Sequence, residues 1–229
     1  AEALAANRHL IVEAGTGVGK SLAYLVPLIL HAKRTGTRAL VSTHTISLQE
    51  QLVGKDLPLL ERELGTAFRS APVKGRMHYL CLRRLARARH HQRELFGDGV
   101  AADLERIRAW ADETEDGSVQ ELRRPPSPEA WAAVCAEHGN CLGAKCPERK
   151  RCFLQRARAR MQDADLLIAN HHLLFSDLAL RRGGAAFLPD VAAVVLDEAH
   201  TVEDTASEHL GLRLSPHGFE HWLRRLFVP

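Results

Sequence analysis

Residues 14–21 read Ala-Gly-Thr-Gly-Val-Gly-Lys-Ser, and they constrain the chain more than any other stretch. Glycines at 15, 17 and 19 allow the backbone to curl so that several amide N–H groups face one anion. The apolar run His9–Glu13 reads as a buried strand before the loop, and a helical pattern runs from about Lys20 to Arg34 behind it. Strand, glycine loop and helix together are the setting of a phosphate-binding loop, with the positive end of the helix aimed at the phosphates. A strict loop of this kind has glycine at position 14, where this chain has Ala14. Ala14, Gly15, Thr16, Gly17, Val18, Gly19, Lys20 and Ser21 are therefore the candidate nucleotide-binding residues. Lys20 is placed to reach the β- and γ-phosphates of ATP, and the Ser21 hydroxyl to bind Mg2+. Pro27 should kink the helix and Gly36 should end it.

Further short apolar runs follow at 38–42, 165–170 and 192–196, with a helical stretch from Ile46 to Leu60. Strands alternating with helices indicate an α/β domain built on a parallel sheet. The run at 192–196 ends in Asp197-Glu198-Ala199-His200. Asp197 is a candidate second Mg2+ ligand, and Glu198 a candidate base for the attacking water. An acidic pair after a strand commonly marks only a turn; beside a phosphate loop it gains meaning, because such a loop needs a magnesium carboxylate on a nearby strand.

Residues 74–162 break the α/β rhythm and read as a helical insertion. Residues 73–162 hold 18 Lys and Arg against 12 Asp and Glu, whereas the rest of the chain is slightly acidic. A basic segment of this kind suits a polyanion, although arginines that merely solvate helices give the same count. Cys141, Cys146 and Cys152 crowd together here, after Cys135 and far from Cys81. Five thiols without an export signal argue against a disulfide framework and for a metal or cluster site. Four thiolates would equally suit tetrahedral zinc, although the paired C-x2-C knuckles usual for zinc are missing. No apolar run is long enough to cross a bilayer, so a cytoplasmic protein with no membrane partner is expected. At 229 residues and 45% hydrophobic, the chain can bury one good core beside a smaller insertion.

Glu13 to Ser21 and Asp197 to His200 resemble motifs I and II of superfamily-two helicases, and nearly the whole chain resembles the iron–sulfur DNA helicases of the DinG/XPD type. Ser42 to Leu52 is similar to their motif Ia, which lies along single-stranded DNA. Lys74-Gly75-Arg76 with Tyr79-Leu80-Cys81 resembles the segment carrying their first cluster cysteine, with His78 where asparagine is usual. Asn170 to Leu174 is similar to their Asn-His segment.

The resemblance implies a RecA-like lobe in two parts, 1–73 and 163–200, split by a cluster insertion at 74–162 and followed from 201 to 229 by the start of a helical arch. It implies a 4Fe–4S cluster on Cys81, Cys141, Cys146 and Cys152, with Cys135 spare, and a coupling role for His200. It further implies that this stretch is the ATP-binding part of a longer monomeric 5′–3′ helicase of the bacterial nucleoid. Single-stranded and forked or duplex DNA would be its partners, and repair or replication its setting. Arg83, Arg84, Arg87, Arg149, Lys150, Arg151, Arg156 and Arg158 could line the DNA path. Two other readings stay open: a metal-containing ATPase that remodels protein–DNA complexes or RNA without unwinding, and a non-catalytic nucleic-acid-binding module.

Overall fold

A computed structural model describes residues 1–15, 17–90, 97–211, 215, 219, 220 and 223, with the backbone alone at residue 89. Its centre is a parallel sheet of β1 (Ala39–Thr43), β2 (Ser70–Pro72), β3 (Leu166–Asn170) and β4 (Ala193–Leu196), in the order β2-β3-β1-β4. β1 pairs with β3 on one side and β4 on the other, Val41 lying opposite both Ile168 and Val195. That central place explains why all five residues of β1 are buried.

Alternation along the strands sends side chains to two cores. Ala39, Val41, Leu166 and Ile168 pack on one face with Leu25, Leu28, Ile29 and Ala32 of the helix Lys20–Thr35. Leu40, Leu167 and Ala169 face the other way, onto Ala71, Val73, Met161, Leu174 and Leu188. Each fully buried leucine contributes about 1.5–3 kcal/mol.

The short helix α1 is Glu2–Ala5, and α2, Lys20–Thr35, runs unbroken through Pro27. Gly36 ends α2 at φ 66°, as expected. α3 (Ile46–Gln51) passes through a π-helical turn, Leu52–Asp56, into α4 (Leu57–Glu63). Pro58 has no N–H to return to the preceding turn, which favours such a local widening.

The run His9–Glu13 is not a strand. Leu10, Ile11 and Val12 are 69%, 97% and 70% exposed, and no described strand pairs with them. An extended segment gains little from its apolar side chains unless a neighbouring strand takes its N–H and C=O groups. The apolar pattern was legible; the missing neighbour was not.

The insertion holds α5 (Leu82–His90), α6 (Asp98–Glu113), α7 (Pro128–Val134) and α8 (Phe153–Asp163). It has its own core of Tyr79, Leu80, Leu85, Leu104, Ile107, Ala130, Val134, Phe153 and Leu154. Two isolated antiparallel bridges, Tyr79 to Ser118 and Leu80 to Cys135, are the β pairing there that the sequence pattern did not suggest. Helix α8 joins the two bodies: Phe153 and Leu154 belong to the insertion core, Met161 to the sheet core. After β3 come α9 (His171–Arg182) and, beyond β4, α10 (Val202–Leu210). The expected helix through 91–96, most of the expected arch at 212–229 and Thr16 lie outside the described residues. No described helix is long and apolar enough to cross a membrane.

Candidate nucleotide and metal sites

Gly17 and Gly19 have φ of 77° and 80°, a left-handed conformation that a side chain resists. The loop they form caps α2, whose first residues are Lys20 and Ser21. Gly15, Gly17, Val18 and Gly19 are exposed and Ala14 is half-buried. A Cβ built at any of the three glycines would meet nothing within 4 Å, so the space over the loop is open to a ligand.

The sheet delivers Asp197 and Glu198 to the same place. The Asp197 N–H donates to the Ser42 carbonyl at 2.8 Å, continuing the β1–β4 ladder past the end of β4. Lys20 Nζ then lies 3.1 Å from Glu198 Oε1 across 178 residues of sequence. Glu198 has φ 55° and ψ 47°, left-handed geometry that costs a non-glycine residue about 1–2 kcal/mol. Strain of this size persists where the surroundings impose it, commonly at functional sites. His200 is exposed, its Nδ1 3.6 Å from Glu198 Oε2.

Two residues join this site that the sequence did not single out for it. Tyr24, one turn along α2, donates from its hydroxyl to Asp197 Oδ2 at 3.3 Å. Burial, and then the Asp197 charge, push the Tyr24 hydroxyl pKa up, so it remains a donor. His171 is fully buried between Ser42 Oγ, 2.7 Å from Nδ1, and the Asp197 carbonyl, 2.9 Å from Nε2. A carbonyl can only accept, so Nε2 carries the proton and Nδ1 accepts from the serine. Burial pushes the His171 pKa down and favours this neutral form. The Asn-His resemblance marked this residue; its partners required the fold.

Lys74 makes a separate junction, its side chain 5% exposed. It lies 2.8 Å from Glu50 of α3 and from Ser118 Oγ, and 3.7 Å from Asp116. One ammonium thus ties the motif Ia stretch to the insertion. Within that stretch Ser42, Thr43 and Gln49 are buried, leaving His44, Thr45, Ser47 and Gln51 as its exposed polar groups. Gln49 donates to the carbonyls of Val73 and Ile168 at 2.9 and 2.7 Å, a structural stitch between strands.

Cys81, Cys141, Cys146 and Cys152 line one cavity with Leu80, Ala136 and Leu154, and with Arg83, Arg84 and Arg149 at hand. Cys135 is apart from it, 2% exposed, with burial pushing its thiol pKa up. All five cysteines are free thiols. Among the described residues, no three of the cysteine sulfurs lie within 4.8 Å of one another. Not every arginine nearby is available to DNA. Arg84 donates to the carbonyls of Cys135 and Ala132, and Arg156 to that of Glu115. Arg87, Arg149, Lys150, Arg151 and Arg158 are exposed.

A family model described as DEAD/DEAH box helicase matches residues 1–78. The chain is 36% identical over 220 residues to the ATP-dependent DNA helicase YoaA of Escherichia coli (strain K12), which covers 93% of this chain and 33% of that protein. It is 40% identical over 222 residues to the ATP-dependent helicase DinG of Mycobacterium tuberculosis (strain ATCC 25618 / H37Rv), covering 89% of this chain and 33% of that one. The 3′-5′ exonuclease DinG of Bacillus subtilis (strain 168) is 33% identical over 213 residues, covering 93% and 22%. The chain thus spans about a third or less of the length of these relatives. With a phosphate loop and an Asp-Glu-Ala-His strand end meeting over a parallel sheet, the chain is similar along most of its length to DinG-like helicases, and over residues 1–78 to the DEAD/DEAH-box helicase model.

Proposed function

We propose that the whole protein is an ATP-driven DNA helicase, and that residues 1–73 and 163–200 form its ATP-binding lobe. The observation that carries this reading is the 3.1 Å approach of Lys20 to Glu198 beside Ser21, Tyr24 and Asp197. Phosphates at the Gly15–Ser21 loop would draw the Lys20 ammonium from Glu198. The freed carboxylate can then accept a proton from a water attacking the terminal phosphate. Ser21 and Asp197 would hold Mg2+, which supplies charge neutralisation at the phosphates. Tyr24 orients the Asp197 carboxylate, and His171 fixes the backbone that carries it. His200, exposed and close to Glu198, is positioned to report the state of the site to a second lobe.

The insertion, residues 74–162, is proposed to hold a 4Fe–4S cluster on Cys81, Cys141, Cys146 and Cys152. These four share one cavity and Cys135 does not, which fits the donor set. Zinc sites usually carry paired C-x2-C knuckles, which this segment lacks, and that favours the cluster over zinc. The exposed arginines around them suit a DNA backbone. Residues 201–229 are proposed to begin the arch.

The proposed activity is 5′–3′ unwinding from a single-stranded or forked substrate, by a monomer acting in repair or replication in the bacterial cytoplasm. The test uses the full-length protein: DNA-stimulated ATP hydrolysis and strand displacement on duplexes with either a 5′ or a 3′ tail. Displacement of the 5′-tailed duplex alone is expected. DNA-stimulated hydrolysis without displacement would instead assign a remodelling ATPase. Iron and acid-labile sulfide, measured beside zinc on anaerobically prepared protein, decide the cluster.

A further inference from the structure

We propose that His172, Glu208 and His209 form a binding site for a divalent transition-metal ion of the zinc class, separate from the nucleotide and cysteine sites. Their ligand atoms lie within 4.8 Å of one another, the only such group of three among the described residues. His172 Nδ1 is 3.1 Å from His209 Nε2 and 3.7 Å from Glu208 Oε2. Donor atoms about 2.0–2.2 Å from a tetrahedral ion stand roughly 3.3–3.5 Å from each other, so these two distances bracket the requirement. The rings meet edge to face, at 74° and 5.3 Å between centroids, so both can aim a lone pair at one point.

A second contact points the same way. His209 Nδ1 lies 3.3 Å from Ser176 Oγ. A hydrogen bond from Nδ1–H to the hydroxyl leaves the lone pair on Nε2, turned toward His172. Orientation of a ligating imidazole through its other nitrogen is the usual support of a metal-bound histidine. Two imidazoles with one carboxylate select zinc, cobalt, nickel or copper, because magnesium and calcium prefer all-oxygen shells. Three protein ligands leave at least one position for water.

The gap between the two ring nitrogens has a second possible occupant, a shared proton, and the experiment distinguishes the two. A bound ion would join α9, which opens at His171, to α10, which opens two residues after His200. It would therefore brace the segments that carry both histidines of the nucleotide site.

The probe is Zn2+ alone, added to full-length protein and to the His172→Ala, His209→Ala and Glu208→Gln variants, with bound metal counted after equilibrium dialysis. Zinc held at the cysteines is common to all four proteins and cancels. Wild type is expected to retain one more ion per chain than either histidine variant, with the glutamine variant at least tenfold weaker. Zinc should raise the thermal midpoint of wild type more than that of His172→Ala, whose side chain is half exposed. Equal zinc content and equal zinc-induced midpoint shifts in wild type and both histidine variants would mean that a proton alone fills the gap, and would overturn the proposal.

Discussion

His171 holds the backbone carbonyl of Asp197 through its Nε2 proton at 2.9 Å, while its other nitrogen accepts from Ser42. One buried ring thus couples β1, β3 and the end of β4, and sets the position of the residue proposed to bind Mg2+. His171→Ala leaves the Ser42 hydroxyl and the Asp197 carbonyl without that partner, at about 1–3 kcal/mol for each group left unpaired. The variant should lose stability by about 2–6 kcal/mol in denaturant titration. In steady-state assays of the full-length protein, kcat for ATP hydrolysis should fall more than KM rises. Lost stability with unchanged kcat would reduce His171 to a purely structural residue.

Glu198 shows strain and function at one position. Its φ of 55° suits glycine, so Glu198→Gly relieves about 1 kcal/mol of backbone strain. The ion pair with Lys20 is about a third exposed on both sides, and its loss offsets only a small part of that gain. The variant is expected to melt at or above the wild-type temperature. Hydrolysis should fall by about 10²–10⁴, the usual worth of a positioned base. A clear drop in melting temperature would show that the left-handed turn is not under strain.

Much of this organisation was readable in the chain, for identifiable reasons. The runs at 38–42 and 165–170 are strands because consecutive apolar residues suit a parallel sheet covered on both faces, whereas β4, from the run at 192–196, lies at the sheet edge with Val194 and Leu196 exposed. Gly36 ended its helix as a glycine in left-handed geometry does. His9–Glu13 failed as a strand because apolar content does not supply a hydrogen-bonding neighbour. Tyr24 escaped notice because it looks ordinary in sequence, and Lys74 was marked only through the resemblance of its segment, not for the contacts it makes. A tyrosine one turn along an amphipathic helix reads as core, and a lysine in a basic segment reads as solvated. Only the fold brings Asp197 to the first and Glu50, Asp116 and Ser118 to the second.

His78 gives the fold a dependence on pH. Burial first, and then the Lys74 charge, depress its pKa below the usual 6.5, and Gln120 lies 2.7 Å from its Nδ1. The unfolded chain therefore binds this proton more readily than the folded one. Stability from this group is intact above about pH 6.5, declines as pH falls below it, and levels off once the folded protein also protonates. His78→Asn removes the titration. Urea midpoints between pH 5 and 8 should fall more steeply toward acid in wild type than in the variant; parallel profiles would exclude His78 as the source.

Gly117 marks the tightest approach inside the insertion. It has φ 69°, and a Cβ there would stand 2.1 Å from Cγ of Phe153. Phe153 is buried and follows Cys152 directly, so a displaced ring disturbs the start of α8 beside the cysteine cavity. Gly117→Ala should cost about 2–4 kcal/mol, from overpacking together with the unfavourable backbone conformation. It should also lower the yield of bound iron. A stable variant with full iron content would mean that Phe153 has another place to go.

The cysteines divide by surroundings, and their variants should divide in the same way. Cys146 lines the shared cavity, whereas Cys135 is buried and does not line it, its Sγ 3.8 Å from the Ala132 carbonyl. Cys146→Ser removes one of four proposed thiolate ligands, and should abolish cluster absorbance and strand separation. Nucleotide binding at Lys20 should persist, because the two sites rest on different cores. Cys135→Ser should retain iron and sulfide in full. Its cost should be limited to about 1–3 kcal/mol for placing a hydroxyl where the thiol packs. The readouts are iron and sulfide content, nucleotide affinity and unwinding, taken on both variants side by side. Loss of the cluster in Cys135→Ser with its retention in Cys146→Ser would reverse the ligand assignment.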